Sequence, residues 1–198
     1  MALVLPSVAQ ASNSTVTVYA ALADWISAET KGKVSNADAR NYAHEAFRAG
    51  KRWDVDPLLI LAVMKPESNY NAKAKNRSGA SGLMQVIPRW HKDKIQGRNI
   101  MHYQVNIDVG AQVINEYLAW HKESYHKALS RYNGGARNIY GQKVQKTYRE
   151  LSDAVWGWRM AGEMPLAYEH KFGYPRHFGY TYAAYQIFED DRNRMIAK

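Results

Sequence analysis

The segment "MKPESNYNAKAKNRSGASGLMQVIP", Met64 to Pro88, joins the end of an apolar run to a polar, glycine-punctuated stretch. Glu67 is the only carboxylate between residues 57 and 92. The preceding run "PLLILAVM" is apolar on nearly every side, which is typical of a buried helix. Asp56-Pro57 predicts where that helix starts, because Asp caps helix N-termini and Pro is favoured at the first helical position. The pattern therefore predicts a single acid at the end of a buried helix, followed by a loop.

Two interpretations of Glu67 follow from the residues around it. Burial at a helix end removes water from the carboxyl and raises its pKa, as a general acid working near neutral pH requires. Neighbouring cations lower the same pKa, so the sequence does not fix the net direction. The alternative is a structural Glu that forms an ion pair at the helix end. The cations in question are Lys65, Lys73, Lys75 and Arg77.

The charge of the chain is concentrated in one region. The 198 residues carry a net charge of +9, and residues 57–152 hold 15 basic against 6 acidic side chains. Such an excess favours a polyanionic partner, namely nucleic acid, anionic lipid or an acidic wall polymer, and a solvated basic face is the alternative.

The chain has no Cys, which excludes disulfides and thiol nucleophiles. The histidines, including the pair His121 and His126, lack the i, i+4 spacing of a zinc helix, so we predict no metal and no cofactor.

Periodicity predicts a mainly α fold with no strand alternation and no membrane span. The N-terminal stretch "MALVLPSVAQA" has a small-x-small match at residues 9–11, and we interpret it as a poor signal peptide or an accidental match.

Lys31-Gly32-Lys33 should end the first helix, Asn36 should cap the second, and Gly134-Gly135 should end the fifth. The predicted helices are 14–30, 37–51, one from Pro57, 106–122, "YHKALSRYN", 138–151 and one from Thr181.

Four blocks, in order, resemble the soluble lytic transglycosylases, the goose-type-lysozyme-like SLT family of glycosidases. The first is "VDPLLILAVMKPESNYNAKAKNRSGASGLMQVIP", with Glu67-Ser68, then Gly79, then "GLMQ" and Pro88. The others are "NIDVGAQVINEYL", "ALSRYNGG" and "YGQKVQKTYREL". The resemblance covers about residues 42–151 and implies a lysozyme-like α-helical domain over 37–152, with helical extensions over 1–36 and 153–198.

The resemblance implies roles for particular residues. Glu67 is expected to be the catalytic acid, and Tyr132 is expected to reach both Glu67 and the reacting sugar. The expected lining of the glycan cleft is Ser81, Gln85, Tyr132 and Asn133. Three residues depart from the common family pattern: Pro66, Arg131 and Gly134, the last standing with Arg131 in the "ALSRYNGG" block. Pro66 removes a helix hydrogen bond and predicts an irregular last turn, and Arg131 stands where a small residue is commoner.

The implied reaction is cleavage of the β-1,4 bond between N-acetylmuramic acid and N-acetylglucosamine in peptidoglycan, with a 1,6-anhydro product. One acid suffices there, whereas most glycosidases use two. One alternative is a hydrolysing lysozyme in which Asp93 or Asp108 acts as the base. Another is a weakly active or inactive structural or ejection protein of a phage particle. A nucleic-acid-binding protein ranks last, because it leaves the four blocks unexplained, and no nucleic acid is expected as a partner.

The expected place of action is the bacterial cell wall or periplasm. A phage virion is favoured as the source, and a secreted bacterial protein is the alternative. Residues 165–188 are dense in Tyr and Phe, and exposed apolar patches of this kind often mark interfaces. We therefore expect residues 153–198 to dock other proteins of a virion or a secretion machine. The alternative is that these aromatics pack on the catalytic domain.

Overall fold

The computed structural model describes residues 8–121, 124–135 and 139–158. Within these ranges the chain forms seven α-helices, one short 3-10 helix and no strand, which confirms the predicted mainly α class. Isolated bridges join Ser81 to Lys75 and to Val86. No helix in the described ranges is long and apolar enough to cross a membrane. The elements are α1 (Val8–Glu29), α2 (Asn36–Trp53), α3 (Pro57–Ser68), the 3-10 turn Pro88–Trp90, α4 (Lys92–Ile95), α5 (Tyr103–Trp120), α6 (Tyr125–Tyr132) and α7 (Ile139–Trp158).

Helix α3 is the centre of the fold, and it packs against α2 and α7. Every side chain from Leu58 to Met64 is buried, as the apolar run predicts. Asp56 caps the helix by accepting a hydrogen bond from the Leu58 N–H at 2.8 Å, and Pro57 occupies the first turn, so the predicted start is confirmed. The Tyr148 hydroxyl of α7 donates to the other oxygen of Asp56 at 2.6 Å. Helix α7 thus holds the beginning of α3.

The irregular last turn expected from Pro66 is not observed, because α3 stays helical to Ser68. Other hydrogen bonds support this end of the helix. The Ser68 hydroxyl donates to the Met64 carbonyl, at 3.2 Å, and to the Leu83 carbonyl, at 2.7 Å. Asn69 then takes a left-handed conformation, φ 50°, and its N–H donates to the Lys65 carbonyl at 2.9 Å. Glu67 is therefore presented from a regular, capped helix end.

The ends of the described region join the same core. Helix α1 packs on α2 and α7, and its Leu22 and Ile26 are fully buried. The cap of α2 is Ser35, one residue before the predicted Asn36, because the Ser35 hydroxyl accepts a hydrogen bond from the Asp38 N–H at 3.0 Å. The same hydroxyl donates to the Asp38 carboxylate at 2.7 Å. Helix α7 continues past its predicted end near residue 151. The Tyr-rich stretch 165–188 and the helix predicted from Thr181 lie outside the described residues.

The loop from Asn69 to Ile87, called the 69–87 loop here, is clamped to α5 by the fully buried Asn106. Its side-chain oxygen accepts a hydrogen bond from the Met84 N–H at 2.8 Å, and its side-chain nitrogen donates to the Ser81 carbonyl at 2.8 Å. Gly82, at φ +75°, passes so close that a Cβ there would lie 2.3 Å from the Asn106 side-chain nitrogen. Asn106 therefore fixes the path of the 81–84 part of the loop against α5.

Candidate active site

Glu67 is half-buried in the last turn of α3, and its carboxyl is held by a tyrosine of α7. The Tyr140 hydroxyl donates to Oε1 of Glu67 at 2.6 Å. Tyr140 belongs to the first turn of α7 and is 7% exposed, so packing fixes the direction of its ring. The other oxygen, Oε2, receives no hydrogen bond from the described residues. The arrangement leaves one carboxyl oxygen anchored and the other available to a ligand.

Burial decides the protonation of Glu67. Removal of water raises the pKa of this carboxyl to about 7, and the hydrogen bond from Tyr140 opposes the rise without cancelling it. Burial also raises the pKa of Tyr140, and the nearby Glu67 carboxylate raises it further, so the phenol keeps its proton and stays a donor. Glu67 can therefore both give and take a proton near neutral pH, which a group acting as acid and then base requires.

The cations that surround Glu67 in the sequence do not pair with it. Lys65 forms an ion pair with Glu29 of α1, and its ammonium lies 5.9 Å from the centroid of the Trp25 ring. Lys73, Lys75 and Arg77 are exposed. Among the described residues Glu67 makes no ion pair, so the alternative of a structural ion pair at the helix end is wrong for this region.

The acids named for the hydrolase alternative have other partners. Asp108 is buried and accepts hydrogen bonds from Arg52 at 3.0 Å and from Arg98 at 3.1 Å, and the Trp53 indole adds a third at 2.9 Å. Asp93 is exposed on α4 and pairs with Lys94 at 2.9 Å. Neither acid is among the groups that shift the pKa of Glu67. Within the described chain, Glu67 is therefore an acid without a carboxylate partner.

Tyr132 does not hold the carboxyl, contrary to the expectation. Its hydroxyl donates to the Met84 carbonyl oxygen at 2.8 Å, which ties the end of α6 to the 69–87 loop. Burial raises the pKa of Tyr132, and the charge of Glu67 raises it further, so the two groups are near each other. The position of Tyr132 beside Glu67 fits the expectation, whereas the hydrogen bond to Glu67 comes from Tyr140.

Of the other residues expected to line the glycan cleft, Ser81 and Gln85 form hydrogen bonds within the 69–87 loop. Ser81 is 2% exposed, and its hydroxyl donates to the Gly79 carbonyl at 3.0 Å. The Gln85 amide donates to the carbonyls of Ala74 and Gly82, at 3.2 and 3.0 Å, inside the same loop. Asn133 follows α6 and is half-buried. The predicted glycan contact of Ser81 has no support from this arrangement, and those of Gln85 and Asn133 stay predictions.

Sequence reasoning assigned no role to Tyr140, although a pattern points to it. Tyr140, Val144, Tyr148 and Leu151 follow the spacing of one helix face, and all four are buried. A tyrosine on a buried stripe needs a partner for its hydroxyl. Tyr148 donates to Asp56, the N-cap residue of α3, and Tyr140 donates to Glu67 in the last turn of the same helix. The stripe was recognisable from the sequence, and its partners were not.

Replacing Tyr140 with Phe removes the hydrogen bond that, among the described residues, lowers the pKa of Glu67. We expect the pKa to rise above about 7, so the fall of kcat/KM at high pH moves to higher pH, and kcat drops about tenfold. Tyr148→Phe is the matched control, because it removes a similar bond at Asp56. The control should lower the melting temperature and leave the pH–rate profile in place. Identical profiles for wild type and Tyr140→Phe would argue against this role of Tyr140.

Comparison with known proteins gives a family match over much of this region. The family model described as the transglycosylase SLT domain matches residues 45–155, which includes α3, the 69–87 loop, α5, α6 and most of α7. A solved structure of lytic transglycosylase Slt from Pseudomonas aeruginosa, an inactive mutant, aligns at 16% identity with a TM-score of 0.47. That alignment covers 72% of this chain and 29% of the Slt chain.

Curated relatives match the same part of the chain. A protein called membrane-bound lytic murein transglycosylase C from Mannheimia succiniciproducens is 34% identical over 118 residues, covering 51% of this chain and 33% of the relative. The protein of the same name from Edwardsiella ictaluri is 32% identical with the same coverage. This chain therefore spans about a third of the length of the curated relatives it matches.

Proposed function

Because the chain belongs to the transglycosylase SLT domain family, we propose that it is a peptidoglycan lytic transglycosylase with Glu67 as its catalytic acid and base. The observation that carries the proposal is the state of Glu67. It is a half-buried carboxyl with a pKa of about 7, it is anchored by Tyr140, and no carboxylate of the described residues is among the groups that shift its pKa. The relatives that share the family are named murein transglycosylases, which supports the same substrate class.

The proposed reaction uses one carboxyl twice. Protonated Glu67 gives its proton to the oxygen of the β-1,4 bond between N-acetylmuramic acid and N-acetylglucosamine, and the bond from C1 to that oxygen breaks. The 2-acetamido group of the muramic sugar stabilises the cationic centre. The Glu67 carboxylate then removes the proton of the C6 hydroxyl, whose oxygen attacks C1. A 1,6-anhydro ring forms, no water is consumed, and Glu67 is again protonated for the next cycle.

The hydrogen bond from Tyr140 suits both halves of this cycle. It occupies Oε1, so the mobile proton belongs on Oε2. When Glu67 has lost its proton, the phenol stabilises the carboxylate by a charge-assisted hydrogen bond. Burial stabilises the neutral acid instead, and the two effects leave the pKa near the pH at which both forms are populated. Neither form is then so stable that the next proton transfer becomes slow.

The exposed charged residues of the 69–87 loop are cations, which suits an anionic substrate. Peptidoglycan bears carboxylates on its lactyl groups and stem peptides, and the described part of the central segment is rich in cations. Lys73, Lys75 and Arg77 are exposed in the 69–87 loop. An anionic polymer approaching this loop gains from their field. We therefore propose the wall polymer, rather than nucleic acid, as the partner that this charge excess serves.

We propose further that the chain opens the cell wall locally as a component of a phage particle, with a secretion machine as the alternative setting. The support is the aromatic stretch 165–188, which fits docking to other proteins. Mass spectrometry of purified particles tests this role, together with the identity of the neighbouring genes. Presence of the chain in particles beside head and tail proteins is the expected result, and its recovery only with a bacterial envelope fraction would contradict it.

Product analysis separates the proposed reaction from hydrolysis. Purified peptidoglycan treated with the full chain should release muropeptides that end in 1,6-anhydro-N-acetylmuramic acid, each one water lighter than the hydrolysis product. Reducing ends would instead show a lysozyme-like hydrolase. A chain that binds peptidoglycan and releases neither product would be an inactive particle component. Glu67→Gln protein, treated in parallel, shows which products depend on this carboxyl.

A further inference from the structure

A pocket of about 660 Å³ lies between the C-terminal end of α5 and helix α6, and none of its described lining residues has a role in the proposed reaction. We call it the Arg131 pocket. Basic and aromatic side chains line it, and no carboxylate is among its described lining residues. The lining residues that carry the inference are Tyr117, His121, His126, Lys127, Ser130 and Arg131.

Arg131 is arranged to bind a carboxylate. Its guanidinium lies 4.0 Å from the ring centroid of Trp120 and 5.3 Å from that of Tyr117. Stacking of this kind fixes the plane of the guanidinium and leaves its N–H edge free. The side chain is exposed, and it makes no ion pair with any described residue. A stacked, unpaired guanidinium suits bidentate binding of a carboxylate, because the two donors are already oriented.

Two further groups add to the preference for an anion. Lys127 precedes Arg131 by one helical turn of α6, so both cations lie on one face of that helix. Lys127 also has no ion pair among the described residues. The Nε2 atom of His121 is buried and has no hydrogen-bond partner within the described part of the chain. Buried polar atoms are normally satisfied, so a polar ligand in the pocket supplies what this imidazole lacks.

The pocket adjoins the candidate active site. Tyr132 follows Arg131 in α6, and its phenol is close enough to Glu67 for the carboxylate to raise its pKa. The Tyr132 ring meets the Tyr117 ring edge to face, with centroids 6.5 Å apart. Tyr117 in turn lines the Arg131 pocket. One pair of tyrosines therefore connects the pocket to the surroundings of Glu67.

We propose that the Arg131 pocket is a carboxylate-binding subsite that takes an acidic group of a stem peptide on the bound glycan strand. The proposal rests on the proposed function, since it assumes peptidoglycan at Glu67. Where a stem peptide is attached, the lactyl carboxyl is part of an amide, so the carboxylates of that strand are carried by the stem peptides on flexible arms. A stripped strand carries only lactyl carboxylates, which lie next to the sugar ring and lack this reach. A subsite of this kind makes the enzyme prefer strands that still carry their peptides. It does so through binding and plays no part in the proton transfers.

Arg131→Ala tests the subsite against Arg40→Ala, which removes the same charge from an exposed position on α2. Cleavage rates are measured on peptidoglycan with intact stem peptides and on glycan stripped of its peptides by an amidase. For Arg131→Ala we expect KM on the peptide-bearing substrate to rise on the order of tenfold, as loss of a hydrogen bond to a charged group predicts. Rates on stripped glycan should match wild type, and Arg40→Ala should match it on both substrates.

A binding measurement tests whether the Arg131 pocket binds the stem peptide, even if the proposed reaction is wrong. Full-length Glu67→Gln protein is titrated with a soluble disaccharide that carries a stem peptide, and with the same disaccharide without it. Tighter binding of the first, lost on adding Arg131→Ala or Lys127→Ala, supports the subsite. Equal binding of both ligands overturns it, as does an equal effect of Arg131→Ala on both cleavage substrates. Wild-type protein that cleaves neither substrate refutes the proposed function, and the titration still judges the pocket.

Discussion

Glu67→Gln is expected to abolish nearly all cleavage of purified peptidoglycan, because Gln keeps the volume of the side chain and cannot transfer a proton. General acid catalysis contributes about 10²–10⁴-fold to a step, and here one carboxyl serves two successive steps. We therefore expect kcat to fall by at least about 10³-fold. The measurement is the rate of muropeptide release by wild-type and variant protein at pH 7. Activity within a few-fold of wild type would remove Glu67 from the mechanism.

The folding stability of Glu67→Gln is the control for its activity. The difference in stability between this variant and wild type depends on pH in a direction that the pKa of Glu67 predicts. The pKa of Glu67 in the folded chain is about 7, above its usual 4.5, so the folded state holds this proton more tightly than the unfolded state. Wild type therefore loses stability as pH rises from about 4.5 to about 7, and Gln does not. We expect Glu67→Gln to be more stable above pH 7 by about 1–3 kcal/mol, the range allowing for partial exposure, and equally stable near pH 4. Urea unfolding at both pH values measures this difference.

Gly82→Ala is expected to have the largest effect on stability. The new Cβ would lie 2.3 Å from the Asn106 side-chain nitrogen, on a residue whose φ of +75° already disfavours a side chain. Asn106 must move, and its buried hydrogen bonds to the 69–87 loop are lost. Strain of about 1–2 kcal/mol, overpacking of about 1–3 kcal/mol and the lost bonds together give about 4 kcal/mol or more.

Gly79→Ala is the matched control for this effect. Gly79 lies in the same loop at φ +87°, and a Cβ there would meet no atom within 4 Å. It should therefore cost only the conformational strain, about 1–2 kcal/mol. Urea unfolding of the three proteins gives the comparison. Equal losses at both glycines would show that the contact with Asn106 does not hold the loop. Activity should fall for Gly82→Ala in particular, because Met84, which accepts the hydrogen bond from Tyr132, is held by Asn106.

Local patterns predicted the helix that presents Glu67. The apolar run and Asp56-Pro57 fixed the buried face and the start of α3, because capping and burial depend on adjacent residues. The direction of the pKa shift needed the structure. Lys65, two residues before Glu67, turns to Glu29, 36 positions earlier in the chain. Sequence proximity made it a candidate partner of Glu67, and tertiary packing gave it another.

The tyrosines likewise form pairings that local sequence patterns do not predict. Resemblance to the family placed Tyr132 near Glu67, and the charge of Glu67 does raise the pKa of this phenol, although its hydroxyl donates to Met84. Which phenol donates to the carboxyl depends on how α6 and α7 lie against α3, and these contacts span 48 to 92 residues of sequence. Asn106 is a similar case, since a helix pattern identifies α5 but not the loop backbone that this side chain binds. Pairings of this kind are set by packing, which no local pattern contains.

The two tyrosines of α7 also limit how this chain can change in length. Tyr140 and Tyr148 stand eight residues apart and bind the last and first turns of α3, so the two helices run in opposite directions under a fixed axial register. Inserting or deleting one residue between them turns one tyrosine about 100° around the helix and shifts it about 1.5 Å along the axis. Only one of the two contacts then survives. Substitutions at the exposed positions Gln142 and Lys143 leave both the spacing and the buried stripe intact. These positions should accept a change of residue far more readily than the segment accepts a change of length, and comparing the melting of both kinds of variant checks this.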